Sequence, residues 1–164
     1  MTSDTLSGLY NDSYYWRIRA VDNLGNIGEY SETRGFVVDT DVDQVALSFP
    51  ATGYETSLHT FRLEWTALAD SVGVDSYQIE VNNTIGFTAA MAFSDTIDGA
   101  NTTDTLAGLY NDSYYWRVRA VDELGNNGVF GTMSGFVVDT SVLKVTLTKG
   151  LSFLIFSRLR EGEF

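Results

Sequence analysis

Cysteine is absent from the 164 residues, so neither a disulfide framework nor a thiolate metal site is available. Histidine and proline occur once each, as His59 and Pro50. A single histidine removes most pairings of a nucleophile with a general base, and His59, at the start of a strand pattern, reads as a structural or surface residue. No Gly-x-Ser-x-Gly elbow, Gly-rich phosphate loop or His-Glu-x-x-His pair occurs. No residue is therefore nominated as catalytic, no cofactor is expected, and the chain reads as non-enzymatic. Cations are scarce as well. Ten Lys and Arg against 22 Asp and Glu give a formal charge of −12, which repels nucleic-acid phosphates and anionic lipid. Long apolar runs are missing too: the most apolar stretch, Leu151 to Phe156, falls far short of the ~20 residues of a membrane-spanning helix. Met1-Thr-Ser-Asp4 has neither the basic start nor the apolar core of a secretory leader.

What is present is aromatic and repetitive. Residues 1–40 match residues 101–140 at 28 of 40 positions, a period of 100 residues. A repeat of that length is a whole domain rather than a solenoid unit. One complete unit then spans 41–140, and residues 1–40 read as the back part of a preceding one. The mismatches gather at 27–34, where drift is expected of an exposed loop and strand start.

Within 41–140, period-two alternation marks strands. Phe61-Arg-Leu-Glu-Trp65, Tyr77-Gln-Ile-Glu-Val81 and Tyr114-Tyr-Trp-Arg-Val-Arg-Ala120 each put one face inward. Val45–Phe49 reads as a first strand stopped by Pro50, and Gly135–Val138 as a last one. Edge strands are expected within 87–97 and 101–109. Gly, Asn and Asp punctuate the chain at 69–75, 82–86 and 122–128. Seven short strands without a helical period predict an all-β, immunoglobulin-like sandwich.

Three local patterns resemble the fibronectin type III family. Leu63-Glu-Trp65, Asp70-Ser-Val-Gly-Val-Asp75 and Tyr77–Val81 are similar to its second and third strands. Leu109-Tyr-Asn-Asp-Ser-Tyr114 followed by Trp116-Arg-Val118 resembles its sixth strand with a tyrosine corner. Asp122-Glu-Leu-Gly-Asn126 and Phe136-Val-Val-Asp-Thr140 resemble its FG loop and closing strand. The resemblance implies a structural core of Trp65, Tyr77, Leu109, Tyr114, Trp116 and Val118. It makes 1–40 the E, F and G strands of a truncated copy, and 41–140 a complete one. It implies a structural spacer or interaction module from a tandem array in a large secreted or cell-surface protein. The alternative is an adhesive or carbohydrate-binding accessory to an extracellular hydrolase. Expected partners are neighbouring repeats, a protein or a polysaccharide.

Two candidate sites follow. The linker carboxylates Asp39, Asp41 and Asp43 should meet Asp122 and Glu123 at the pole where the chain enters the complete copy, with Asp12 approaching from the other side. Their hard oxygens suit Ca²⁺, and ordinary turn and linker chemistry is the competing reading. The outward face carrying Gln78, Glu80, Tyr115, Arg117 and Arg119 could bind sugar or protein, against cross-strand pairing on a solvated sheet. Residues 141–164 form an atypical tail. Val142, Val145 and Leu147 repeat Val42, Val45 and Leu47, but the register is lost from Lys149, as in a frame-shifted end.

Overall fold

The computed structural model describes residues 3–141, and the tail expectations lie outside the described residues. The strands are β1 (Asp12–Trp16), β2 (Arg34–Val38), β3 (Leu47–Phe49), β4 (Tyr54–Thr56), β5 (Thr60–Trp65), β6 (Val74–Asn82), β7 (Phe93–Asp98), β8 (Thr103–Ala107), β9 (Asp112–Asp122) and β10 (Ser134–Val138). From β3 onward they form two facing sheets, β3-β5-β8 and β4-β10-β9-β6-β7. The alternation read from the sequence sets what lies between them. Phe61, Leu63 and Trp65 come from β5, Tyr77, Ile79 and Val81 from β6, Leu106 from β8. Tyr114, Trp116, Val118 and Ala120 come from β9, Phe136 and Val138 from β10. Fully burying one such large apolar side chain contributes roughly 1.5–3 kcal/mol, so this layer dominates stability.

The first strand differs from expectation. The ladder holds only Leu47–Phe49; after a cis Phe49–Pro50 bond the chain crosses to the other sheet, where β4 pairs in parallel with β10. Proline cannot donate to a ladder, which ends β3 at that point. The Pro50 carbonyl accepts the indole N–H of the buried Trp116 at 3.2 Å and the Ser134 hydroxyl at 3.0 Å. The edge strand expected within 87–97 is confined to Phe93–Asp98. Ahead of it, in the loop that follows β6, Phe87 has a positive φ of 53°.

The opening copy is an isolated hairpin. β1 and β2 pair in the register of β9 and β10, with Tyr14 opposite Phe36 as Tyr114 is opposite Phe136. The expected E strand is not formed: residues 3–7 carry no strand, whereas β8 occupies Thr103–Ala107 of the complete copy. The hairpin's inward face is uncovered: Trp16 is 41% exposed where Trp116 is fully buried. Drift at 27–34 is not confined to exposed positions either. The matching Gly131 and Ser134 of the complete copy are buried.

The tyrosine corner exists in both copies. The Tyr114 hydroxyl donates to the Tyr110 carbonyl at 3.2 Å, and the Tyr14 hydroxyl to that of Tyr10 at 3.0 Å. Removing one buried hydrogen bond costs about 1 kcal/mol. Tyr114→Phe should therefore lower urea-unfolding stability by about that amount, whereas Tyr14→Phe, in a hairpin outside the core, should leave the transition in place.

Two buried polar atoms among the described residues lack a partner: Trp65 Nε1 and Asp104 Oδ2. Asp104 lies opposite Leu63, on an inward position of β8. Burial raises its pKa above the ordinary 3.8, opposed by the Thr105 amide and reinforced by Asp95. Ionised Asp104 therefore costs the native state stability at neutral pH, and the cost fades as pH falls through the raised value. Asp104→Asn should raise the urea midpoint at pH 7, with the gain shrinking as pH falls through the raised value and gone by about pH 3, where residue 104 is neutral in the folded and unfolded chains alike.

Candidate functional site

The pole at which the linker enters the complete copy is built by two loops. The β5–β6 loop brings Asp70 and Ser71, and the β9–β10 loop brings Asp122 and Asn126. Asp39, at the end of β2, descends between them and is buried. Its Oδ2 accepts the Ser71 hydroxyl and its Oδ1 accepts the amide of Asp41 at 3.1 Å. The Asn126 side chain donates to the Asp39 carbonyl at 2.9 Å. From the hairpin, Asn11 donates to Asp41 at 3.0 Å and more weakly to Asp39. Val42 packs against the opposite side of the same loop, at Gly128, where its Cγ1 would press on any added Cβ.

Asp39, Asp70 and Asp122 each bring a carboxylate oxygen within 4.8 Å of the others. Of the linker carboxylates expected here, Asp39 joins Asp122. Asp41 and Asp43 line an adjoining open cleft of about 440 Å³ together with Asn11 and Asp12. Glu123 lies against Gly73 instead. Asp70 was not nominated, although the Asp70–Asp75 turn placed it at this pole.

Protein donors already serve these oxygens. Asp122 Oδ1 accepts the amides of Leu124 and Asn126 at 2.9 and 2.8 Å, and Oδ2 the Asn126 side chain at 2.7 Å. Burial works to raise the Asp122 pKa, but the hydrogen bonds from Asn126, Leu124 and Gly125 outweigh it and hold it below the ordinary value. Asp22 in the hairpin makes the same three bonds with Leu24 and Asn26, without the Asp39–Asp70 pair beside it. The Asp122 conformation thus needs nothing beyond its own loop.

The second candidate is the outer face of β6 and β9. Gln78 lies opposite Arg119 and Glu80 opposite Arg117. Arg117 donates to Glu80 at 2.8 Å and Arg119 to Gln78 at 2.8 Å. The Arg117 guanidinium lies 4.0 Å from the ring centres of both Phe87 and Phe130. Such stacking is worth on the order of 1 kcal/mol when partly desolvated, and it occupies the cation from both sides. Tyr115, half-buried, continues the row toward β10. The two phenylalanines were not foreseen. Phe130 had a signal, since Tyr30 keeps the ring within the drifting segment and covers Arg17 at 3.9 Å. Phe87 had none.

No family model matches the chain. "Chitinase A1" of Niallia circulans is 35% identical over 133 residues, which cover 76% of this chain and 17% of that protein. The chain thus spans well under two thirds of the curated relative it matches. The crystal structure of chicken CNTN1 FN1-FN3 domains matches 78% of this chain and 42% of its own, at 17% identity and a TM-score of 0.51. The chain has the fibronectin type III fold. The fibronectin(III)-like modules of Clostridium thermocellum CbhA match at 23% identity and a TM-score of 0.43, over 60% of this chain and 99% of theirs. In fibronectin type III terms, β3, β5 and β8 are strands A, B and E, and β6, β7, β9 and β10 are C, C′, F and G. The acidic pole is then made by the BC and FG loops of one module and the EF corner of the hairpin before it.

Because the FG loop is closed by its own amides, melting curves recorded in millimolar calcium and in EDTA should coincide. A rise of several degrees in the calcium arm would instead assign a cation to Asp39, Asp70 and Asp122.

Proposed function

We propose that the chain is a non-catalytic spacer from a tandem array in a large extracellular or cell-surface protein, accessory to a hydrolase that acts on polysaccharide. The observation that carries this reading is the junction. The strand-end residue Asp39 of one copy is buried in the BC and FG loops of the next and held there by Ser71 and Asn126. A linker of this kind fixes spacing between modules, which is what a spacer supplies. Similarity to "Chitinase A1" supports the hydrolase context.

The binding-module reading rests on the C–F–G face, and the pairing there speaks against it. Arg117 is paired with Glu80 and stacked between Phe87 and Phe130, so neither face of its guanidinium is open to stack on a ligand. No helix among the described residues is long and apolar enough to cross a membrane.

Sedimentation with insoluble chitin and other polysaccharides should leave the protein in the supernatant, at the level of an unrelated acidic control. Retention on one polysaccharide that Arg117→Ala abolishes would make the C–F–G face a carbohydrate site and displace the spacer reading.

A further inference from the structure

The two F–G hairpins of this chain are nearly the same peptide, and only one of them is covered. In repeat proteins, exchange of one copy's strands for another's is a characteristic misassembly. Nothing on the shared inward face opposes it. Leu6, Leu9, Tyr14, Trp16, Ala20, Asp22, Gly28, Phe36 and Val38 are identical to the buried residues 100 positions later. The hairpin's aromatic pair is already arranged for the exchange. Tyr14 and Phe36 stack at 5.6 Å and 21°, and Tyr114 and Phe136 at 5.6 Å and 24°.

Among described positions where the copies differ, those buried in the complete module are Val118, Gly131 and Ser134. Ile18 for Val118 is a conservative change. The other two are not, and both meet the same segment, residues 45–52. A Cβ on Gly131 would fall well inside van der Waals contact with the Val45 carbonyl oxygen, a backbone atom. The opening hairpin has Ser31 there. The Ser134 hydroxyl donates to the Pro50 carbonyl and lies 3.3 Å from the Thr52 hydroxyl. The opening hairpin has Arg34 there. Its guanidinium would have to thread into the cleft between the segment leading into β3 and the start of β10.

We propose that Ser31 and Arg34 are partner-selecting residues that bar the opening hairpin from the place of β9 and β10 in the complete module. Selection between near-identical partners is a difference of affinities, and it is made most cheaply by a clash against the wrong one. The clash falls at the A–G seam, where the backbone oxygen of Val45 leaves no room for a Cβ at position 131. It goes beyond the spacer reading and does not depend on it.

The test is a pair of grafts in the full chain. In the first, residues 127–134 take the sequence of 27–34, so that Gly131→Ser and Ser134→Arg are made with the neighbouring changes. In the second, the same graft keeps Gly131 and Ser134. The first should lower the melting temperature of the module by about ten degrees or abolish its transition, and the second should melt within about two degrees of the parent. The proposal is overturned if the first graft melts with the parent. It is equally overturned if the second falls as far as the first, because the selection would then lie elsewhere in the segment.

Discussion

Everything in the complete module depends on one contact: the inward face of strands F and G against strands B and E. The chain contains its own control. The same Tyr-Tyr-Trp-Arg strand is present twice, in the same register and with the same corner. It is buried to completion in one copy and left at the surface in the other. The tyrosine corner, the Asp-closed FG loop and the aromatic stack take the same form in both copies. What differs is burial. A two-stranded ribbon is marginal in water, and the gain from several large side chains arrives only with the opposite sheet.

The acidic composition acquires a local meaning in the same way. Asp22, Asp39 and Asp122 are acceptors for loop amides, asparagine side chains and a serine hydroxyl, not a surface field. A carboxylate that collects two or three such donors is held charged at low cost even when buried. That is why a pole dense in carboxylates can also be a joint. Each acid closes a loop or receives the neighbouring copy, and the repulsion among Asp39, Asp70 and Asp122 is offset donor by donor.

Sheet membership, core and loop placement were legible in the sequence because they follow from period-two alternation and from turn residues. Trp65, Tyr77, Leu109, Tyr114, Trp116 and Val118 all lie where alternation and the tyrosine corner put them. The A strand was legible as a run stopped by Pro50. Its crossing to the other sheet and the Pro50 carbonyl that accepts from Trp116 leave no trace in a five-residue apolar run. The candidate pole was half legible: the linker path indicated Asp39, Asp41 and Asp43 beside Asp122, but which carboxylate completes the group depends on loop conformation, and it is Asp70 rather than Asp41 or Asp43. The cover of Arg117 by Phe87 depends on a residue in a left-handed conformation, which no periodicity announces.

The arginines bear on where a partner could act. Arg117 and Arg119 stand on the outer face of β9, Arg17 and Arg19 at the matching positions just beyond β1, and each lies over an aromatic ring from the FG segment. In an acidic chain with so few cations, these are the groups that would recognise an anionic or hydroxyl-rich ligand. Instead they clamp the FG segment onto the sheet, twice over and with either tyrosine or phenylalanine as the ring. The contact is kept through the drift of 27–34 while its ring changes from tyrosine to phenylalanine. The FG loop that it steadies also carries Asn126 and Gly128, which grip the incoming linker. The strand that fills the core thus also leads into the loop whose Asn126 and Gly128 contact the linker at the pole.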